Sequence, residues 1–301
     1  VQRTMILLPS PNRIVSVQAG RVHSLALDTT GGVHAWGNSV SGQLGDGQAG
    51  NSLTRLQPQR VNLGPGISAI AIAAGAEHSL ALLTDGTVRA WGANGYGQVG
   101  DGTGTGSPIV NDFGPPHFRP RPVAVVSLEQ ATRIAAGAWH SLALRADGTV
   151  WAWGRNVEGQ LGRGTAGGIG NAPAQVDGLA GVTSIAAGDR HSMALRSDGT
   201  VWSWGSNQRG QVGNGTTGDP VTRPVQVSGL TGVVAIAAGG FHSVALRSDG
   251  TVWTWGLNEN GQLGSGTVGG LRATPAAVPN LAGITAIAAG YRHSLAVRPA
   301  N

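Results

Sequence analysis

The sequence contains no cysteine and no lysine, and only 12% of its 301 residues are charged. Without cysteine, disulfides, thiolate metal sites and thiol nucleophiles are excluded, while the redox compartment stays open. Without lysine, all twenty basic residues are arginine; against fifteen acids they leave a net charge of +5. The pI near 11.1 therefore reflects how little titrates between histidine and arginine. The arginines are scattered from Arg3 to Arg298 instead of forming a stripe, which argues against nucleic acid as a partner. No run approaches the roughly 20 apolar residues of a membrane helix, so a soluble chain without a membrane span is expected. The chain starts at Val1 with neither an initiator methionine nor a signal-peptide pattern, as a processed or trimmed product would. A secreted or cell-surface setting is slightly favoured over the cytoplasm, and the Arg-, Gly- and Ala-rich composition points to a GC-rich bacterial genome.

What the sequence has in abundance is glycine: 51 Gly and 15 Pro make about one residue in five a backbone punctuator, against roughly 12% in average proteins. A mainly helical fold is excluded, because each glycine inside a helix costs about 1 kcal/mol relative to alanine. Disorder is excluded by a 40% hydrophobic content that includes nine tryptophans.

The glycines belong to a repeat. Six A-G-x-x-H-S segments place histidines at His23, His78, His140, His191, His242 and His293, spaced by 55, 62, 51, 51 and 51 residues. Five W-G pairs follow at Trp36, Trp91, Trp153, Trp204 and Trp255, each leading into G-Q-L-G or G-Q-V-G. Within a unit the pattern is of short strands, for example 185–187, 191–195, 200–204 and 224–227. Asp-Gly pairs at Asp85, Asp147, Asp198 and Asp249 predict tight type I′ hairpins and hence antiparallel strands. Four strands per repeat of forty to fifty residues is the signature of a β-propeller blade.

These units resemble the repeat family named for the regulator of chromosome condensation, through W-G, G-Q-L-G, A-G-x-x-H-S-x-A-L and D-G. The likeness runs from about Ile14 to Val297. It implies an all-β, closed propeller, with seven blades in the eukaryotic prototype; this sequence has material for six. The expected arrangement is a single domain over 1–301. Its blades fall near 14–60, 67–125, 132–176, 182–227, 233–278 and 284–298, the last completed by 1–9, where Thr4-Met5-Ile6-Leu7-Leu8 would supply a strand. Seven blades is the alternative. A more distant likeness to secreted β-lactamase-inhibiting propellers implies a protein-binding face.

Several motifs carry less than they first promise. Four G-x-G-x-x-G matches, beginning at Gly45, Gly162, Gly213 and Gly264, lack the helix that a dinucleotide site needs and are assigned to loops. One histidine per blade is too dispersed to share a metal ion, so the histidines are expected to hold the scaffold, bonding backbone at the strand turn; no metal or cofactor is expected. The pairs Trp151/Trp153, Trp202/Trp204 and Trp253/Trp255 face one side of their strand and are expected to pack between blades. In the first two blades His34 and Arg89 replace the leading tryptophan. Arg145, Arg196 and Arg247 are expected to pair with the aspartates two residues on.

The two residues before each motif histidine vary while their surroundings do not, and they bring aromatic and cationic side chains to one face. The candidate protein-binding residues are Arg21, Glu77, Trp139, Arg190, Phe241, Tyr291 and Arg292, joined by Tyr96 from a G-Q loop and Phe118 from the 104–121 insertion. No catalytic motif such as G-x-S-x-G or H-E-x-x-H is present. A monomeric, non-enzymatic protein-binding scaffold or inhibitor-like module is expected. Guanine nucleotide exchange or a chromatin-associated role is the alternative, and a hydrolase or lyase at the channel mouth, using His117 or Glu77, is third.

Overall fold

The computed structural model describes residues 13–50, 53–105 and 117–299. Within them the chain is all-β, with six sheets following one another in sequence order. Five are four-stranded antiparallel meanders, at 14–60, 69–124, 131–175, 182–226 and 233–277; the sixth, at 286–297, has two strands. In the third blade the strands are Ala131–Ala136, His140–Arg145, Val150–Arg155 and Ile169–Gln175. First strands adjoin first strands across every junction between consecutive blades, so they lie towards the axis of a six-bladed propeller.

The core is divided among the five junctions. At the first four, aliphatic residues of one blade pack on alanines, isoleucine or valine and a tryptophan of the next, as in Leu25, Leu44 and Val61 against Ile72, Ala81 and Trp91; the fifth joins Val244, Leu246 and Val252 to Ile284, Ile287 and Ala289 without a tryptophan. Trp91, Trp153, Trp204 and Trp255 are fully buried there. Each indole Nε1 donates to a glutamine carbonyl of the preceding blade, Gln43, Gln98, Gln160 and Gln211, at 2.8–2.9 Å. Of each tryptophan pair, the second member is buried inside the junction and the first packs against its edge. The first, half-buried, lies under an arginine: Arg145 over Trp151, Arg196 over Trp202 and Arg247 over Trp253 at 5.4–5.7 Å. The same arginines reach the hairpin aspartates at 3.6–3.8 Å.

The hairpins differ from the expected type I′. Gly148 has φ +78 but Asp147 has no positive φ, and Gly148 N–H donates to the Arg145 carbonyl. This is a type I-like turn closed by a left-handed glycine, one residue longer than the two-residue turn. The Asp147 carboxylate stabilises it by accepting from Thr149 N–H and Oγ1, which lowers its pKa, and the other three Asp-Gly turns repeat this.

The seam between the sixth and first blades is different. Val17 is 64% exposed, although its counterparts Ile72 and Ile185 are buried, and Leu295 and Val297 are more than half exposed. Among the described residues no strand pairs the sixth blade with the first. The expected closing strand at 1–9 lies outside the described residues. The ends nonetheless converge at the turn face, where Arg21 of the first blade lies 5.6 Å over the Tyr291 ring of the sixth and 3.8 Å from Asp189 of the fourth.

Candidate functional site: the turn face

The turn face rests on the motif histidines, and their partners differ from expectation. His23, His78, His140, His191 and His242 bond through Nε2 to the Oγ of Ser79, Ser141, Ser192, Ser243 and Ser294 on the following blade, at 2.9–3.0 Å, not to backbone. Each serine spends its single proton on a glutamine carbonyl at 2.8–2.9 Å. The hydroxyl can then only accept from the ring, so each histidine carries its proton on Nε2. Nδ1 is left as a buried, unpaired acceptor in all five. Burial lowers the pKa of His23 and His242 to about 4, and of His78, His140 and His191 to about 3, with neighbouring histidines adding to the shift in the last four named residues other than His23. These rings are neutral struts between blades.

The A-G glycine of the motif is explained by the same ring. A Cβ on Gly137 would lie 2.3 Å from His140 Cε1 and 2.5 Å from the Gly188 carbonyl oxygen. The sixth histidine, His293, is exposed, and among the described residues no bond joins it to Ser24 of the first blade.

The loops that display side chains are equally braced. The glutamine of each G-Q pair folds its Oε1 back onto the amide two residues earlier, at Ser41, Tyr96, Glu158, Arg209 and Asn260. The varying side chains thus project from backbone held by repeating ones.

One group spans the second to fourth blades. Trp139 meets Tyr96 edge to face at 5.8 Å, Arg155 lies 5.5 Å over Tyr96, and Glu158 binds Arg155 at 2.7 Å and Arg190 at 3.1 Å. Beside it Glu77 accepts from Ser41 Oγ at 2.8 Å. A second group spans the fifth, sixth and first blades: Phe241 meets Tyr291 at 6.0 Å, with Arg292 at 5.4 Å and Arg21 at 5.6 Å from the Tyr291 ring. Asp189 lies between the groups beneath Arg21; burial raises its pKa, opposed in part by Arg21 and Arg190.

Eight of the nine sequence-selected residues stand on this face in these contacts. Phe118 does not join them; it begins the outer strand of the second blade, opposite Ala93. His117 sits beside it with Nδ1 2.8 Å from Thr105 Oγ1, and residues 106–116 of the insertion, Phe113 among them, lie outside the described residues. Sequence reasoning passed over Arg155, Glu158, Asp189, Arg209 and Glu259. Glu158, Asp189, Arg209 and Glu259 vary between copies at turn and loop positions, whereas Arg155 ends the third strand of its blade.

The first blade contains a coupled replacement. Where the third has Arg145 and Trp151, the first has Asp28 and His34, joined at 2.9 Å. Burial would raise the Asp28 pKa, but bonds from Thr30, His34 and Gly32 outweigh this and hold it far below the usual range.

Comparison with known proteins agrees with this architecture. The family model described as the RCC1-like domain matches residues 2–301. The chain belongs to the RCC1-like domain family. This RCC1-like chain is 35% identical over 290 residues to human E3 ubiquitin-protein ligase HERC2, covering 94% of the chain but 6% of HERC2. It is 34% identical to the ultraviolet-B receptor UVR8 of Arabidopsis thaliana, covering 84% of the chain and 55% of UVR8. It thus spans only part of these relatives, which are eukaryotic. Among solved structures it superposes on human WBSCR16 with TM-score 0.82 and 25% identity, covering 96% of this chain and 75% of that one. Yeast RCC1 (Prp20) bound to Kap60 gives TM-score 0.81 and 25% identity, with 97% and 68% covered.

Proposed function

We propose that this RCC1-like propeller is a non-enzymatic scaffold that binds another protein through its turn face. The observation that carries the proposal is the concentration of Trp139, Tyr96, Phe241, Tyr291, Arg190 and Arg292 on one face, displayed from backbone that the repeating glutamines and histidines already hold in place. Aromatic and arginine side chains dominate binding hot spots, and a preorganised display lowers the ordering cost of association. No other feature of the scaffold requires them, since the junctions are made by different residues.

The test is replacement of Trp139, Arg190, Phe241, Tyr291 and Arg292 by alanine. Partner capture from source-cell lysate or culture fluid should be lost while the melting temperature stays unchanged; capture that survives would refute the proposal. The 25% likeness to yeast RCC1 supports a second function, guanine nucleotide exchange. It predicts accelerated nucleotide release from a small GTPase, and an unchanged release rate would remove it.

A further inference from the structure

Between the turns and loops of the fourth, fifth and sixth blades lies a groove of about 220 Å³. Phe241 and Tyr291 form its aromatic wall, and Arg190, Arg209 and Arg292 surround them. The one carboxylate lining it is Glu259, which stands 3.9 Å from Arg209 with both side chains about half exposed. A pair this long and this wet neutralises little. Arg190 shares Glu158 with Arg155, so one carboxylate serves two guanidiniums. Arg292 has no carboxylate within ion-pair distance among the described residues; its guanidinium lies against Tyr291, a ring that Arg21 approaches as well. The groove therefore joins an apolar wall to cationic groups whose donors are incompletely matched.

Resting on the protein-binding role above, we propose that this groove takes an acidic peptide segment of the partner. An Asp or Glu carboxylate would meet Arg209 and Arg292, and an adjacent apolar side chain would lie on Phe241 and Tyr291. Planar guanidinium forks match carboxylates in paired hydrogen bonds, and opposite potentials both steer and orient association. Nucleic acid fits less well, because Glu259 sits in the groove and the cationic region does not extend into a stripe.

The experiment is selection of a random-peptide display library on the whole chain, followed by fluorescence anisotropy of the selected peptides. Enrichment of Asp or Glu beside aromatic or aliphatic residues is expected, with affinity falling as salt rises. Arg209→Ser with Arg292→Ser should weaken binding about tenfold or more. Arg196→Ser with Arg247→Ser, on the opposite face, should leave it unchanged. If the serine pair lowers the melting temperature, Arg209→Gln with Arg292→Gln replaces it.

No enrichment, selected peptides without acids, indifference to the Arg209/Arg292 changes, or equal binding of a single-stranded oligonucleotide would each overturn the inference. Neutral peptides whose binding vanishes in the five-alanine variant would overturn it while leaving the turn face as a protein-binding site. Peptides insensitive to that variant would count against both.

Discussion

Acidification should unfold this protein through its histidines before its carboxylates. His23, His78, His140, His191 and His242 have pKa values of about 3 to 4 in the fold, against about 6.5 in an unfolded chain. The unfolded state therefore binds more protons throughout the interval between these values. The stabilisation is complete above about pH 6.5 and is lost as pH falls towards 4. At pH 5 each ring contributes roughly 2 kcal/mol less than at neutral pH, and five contribute roughly 10 kcal/mol if additive, comparable to the whole stability of a typical domain. The hairpin aspartates have lowered pKa values, so their losses begin below their ordinary values and leave pH 4.5 to 6.5 to the histidines. Asp189, with its pKa raised, acts in the opposite sense, recovering a little stability on protonation. Urea unfolding followed by tryptophan fluorescence at several pH values gives the slope of stability against pH, and hence proton uptake. Near pH 5 the uptake should approach five, with a slope near 7 kcal/mol per pH unit, and His140→Gln should reduce it by one. Uptake below two protons in that interval would refute the assignment of buried, Nε2-protonated neutral rings.

Gly137→Ala should destabilise by about 3 kcal/mol or more, because the new Cβ meets both the His140 ring and the Gly188 carbonyl; a loss below about 1 kcal/mol in urea unfolding would contradict the close packing. Ser192→Ala should cost about 1–3 kcal/mol by stranding the His140 Nε2–H in a buried junction, and calorimetry of the single variant measures it. Asp28→Arg and His34→Trp should each destabilise alone but far less together, restoring the pair found at Arg145 and Trp151; a double-mutant cycle with a coupling below about 0.5 kcal/mol would show the two positions to be independent.

The blades were legible because period and turn chemistry agree: A-G, D-G, W-G and G-Q recur at spacings that only short antiparallel strands satisfy. The bond that each histidine makes was not legible, because its partner lies on the next copy more than fifty residues away. The serine following each histidine was in view, but nothing in one repeat shows that it serves the preceding blade. Likewise His34 stood out as a departure, while its partner Asp28 became visible only across the hairpin. At the turn face, side-chain type and position singled out Trp139, Phe241 and Tyr291, whose rings meet Tyr96 and each other there. They did not reveal Arg155 and Glu158, whose importance comes from bridging Tyr96 and Arg190 across blades. Phe118 was assigned to the same surface from its place in an insertion; it opens the outer strand of its blade opposite Ala93 and takes no part in the contacts described for the other eight.

The most direct test of the turn face is site-specific photo-crosslinking. A benzophenone amino acid is placed in separate preparations at Tyr291, at Phe241, and at Ser248 beside an Asp-Gly hairpin on the opposite face, and irradiated in source-cell extract. The account predicts that positions 291 and 241 crosslink to one common protein and that position 248 does not. Crosslinking to that protein from 248 alone, or equally from all three, would contradict it.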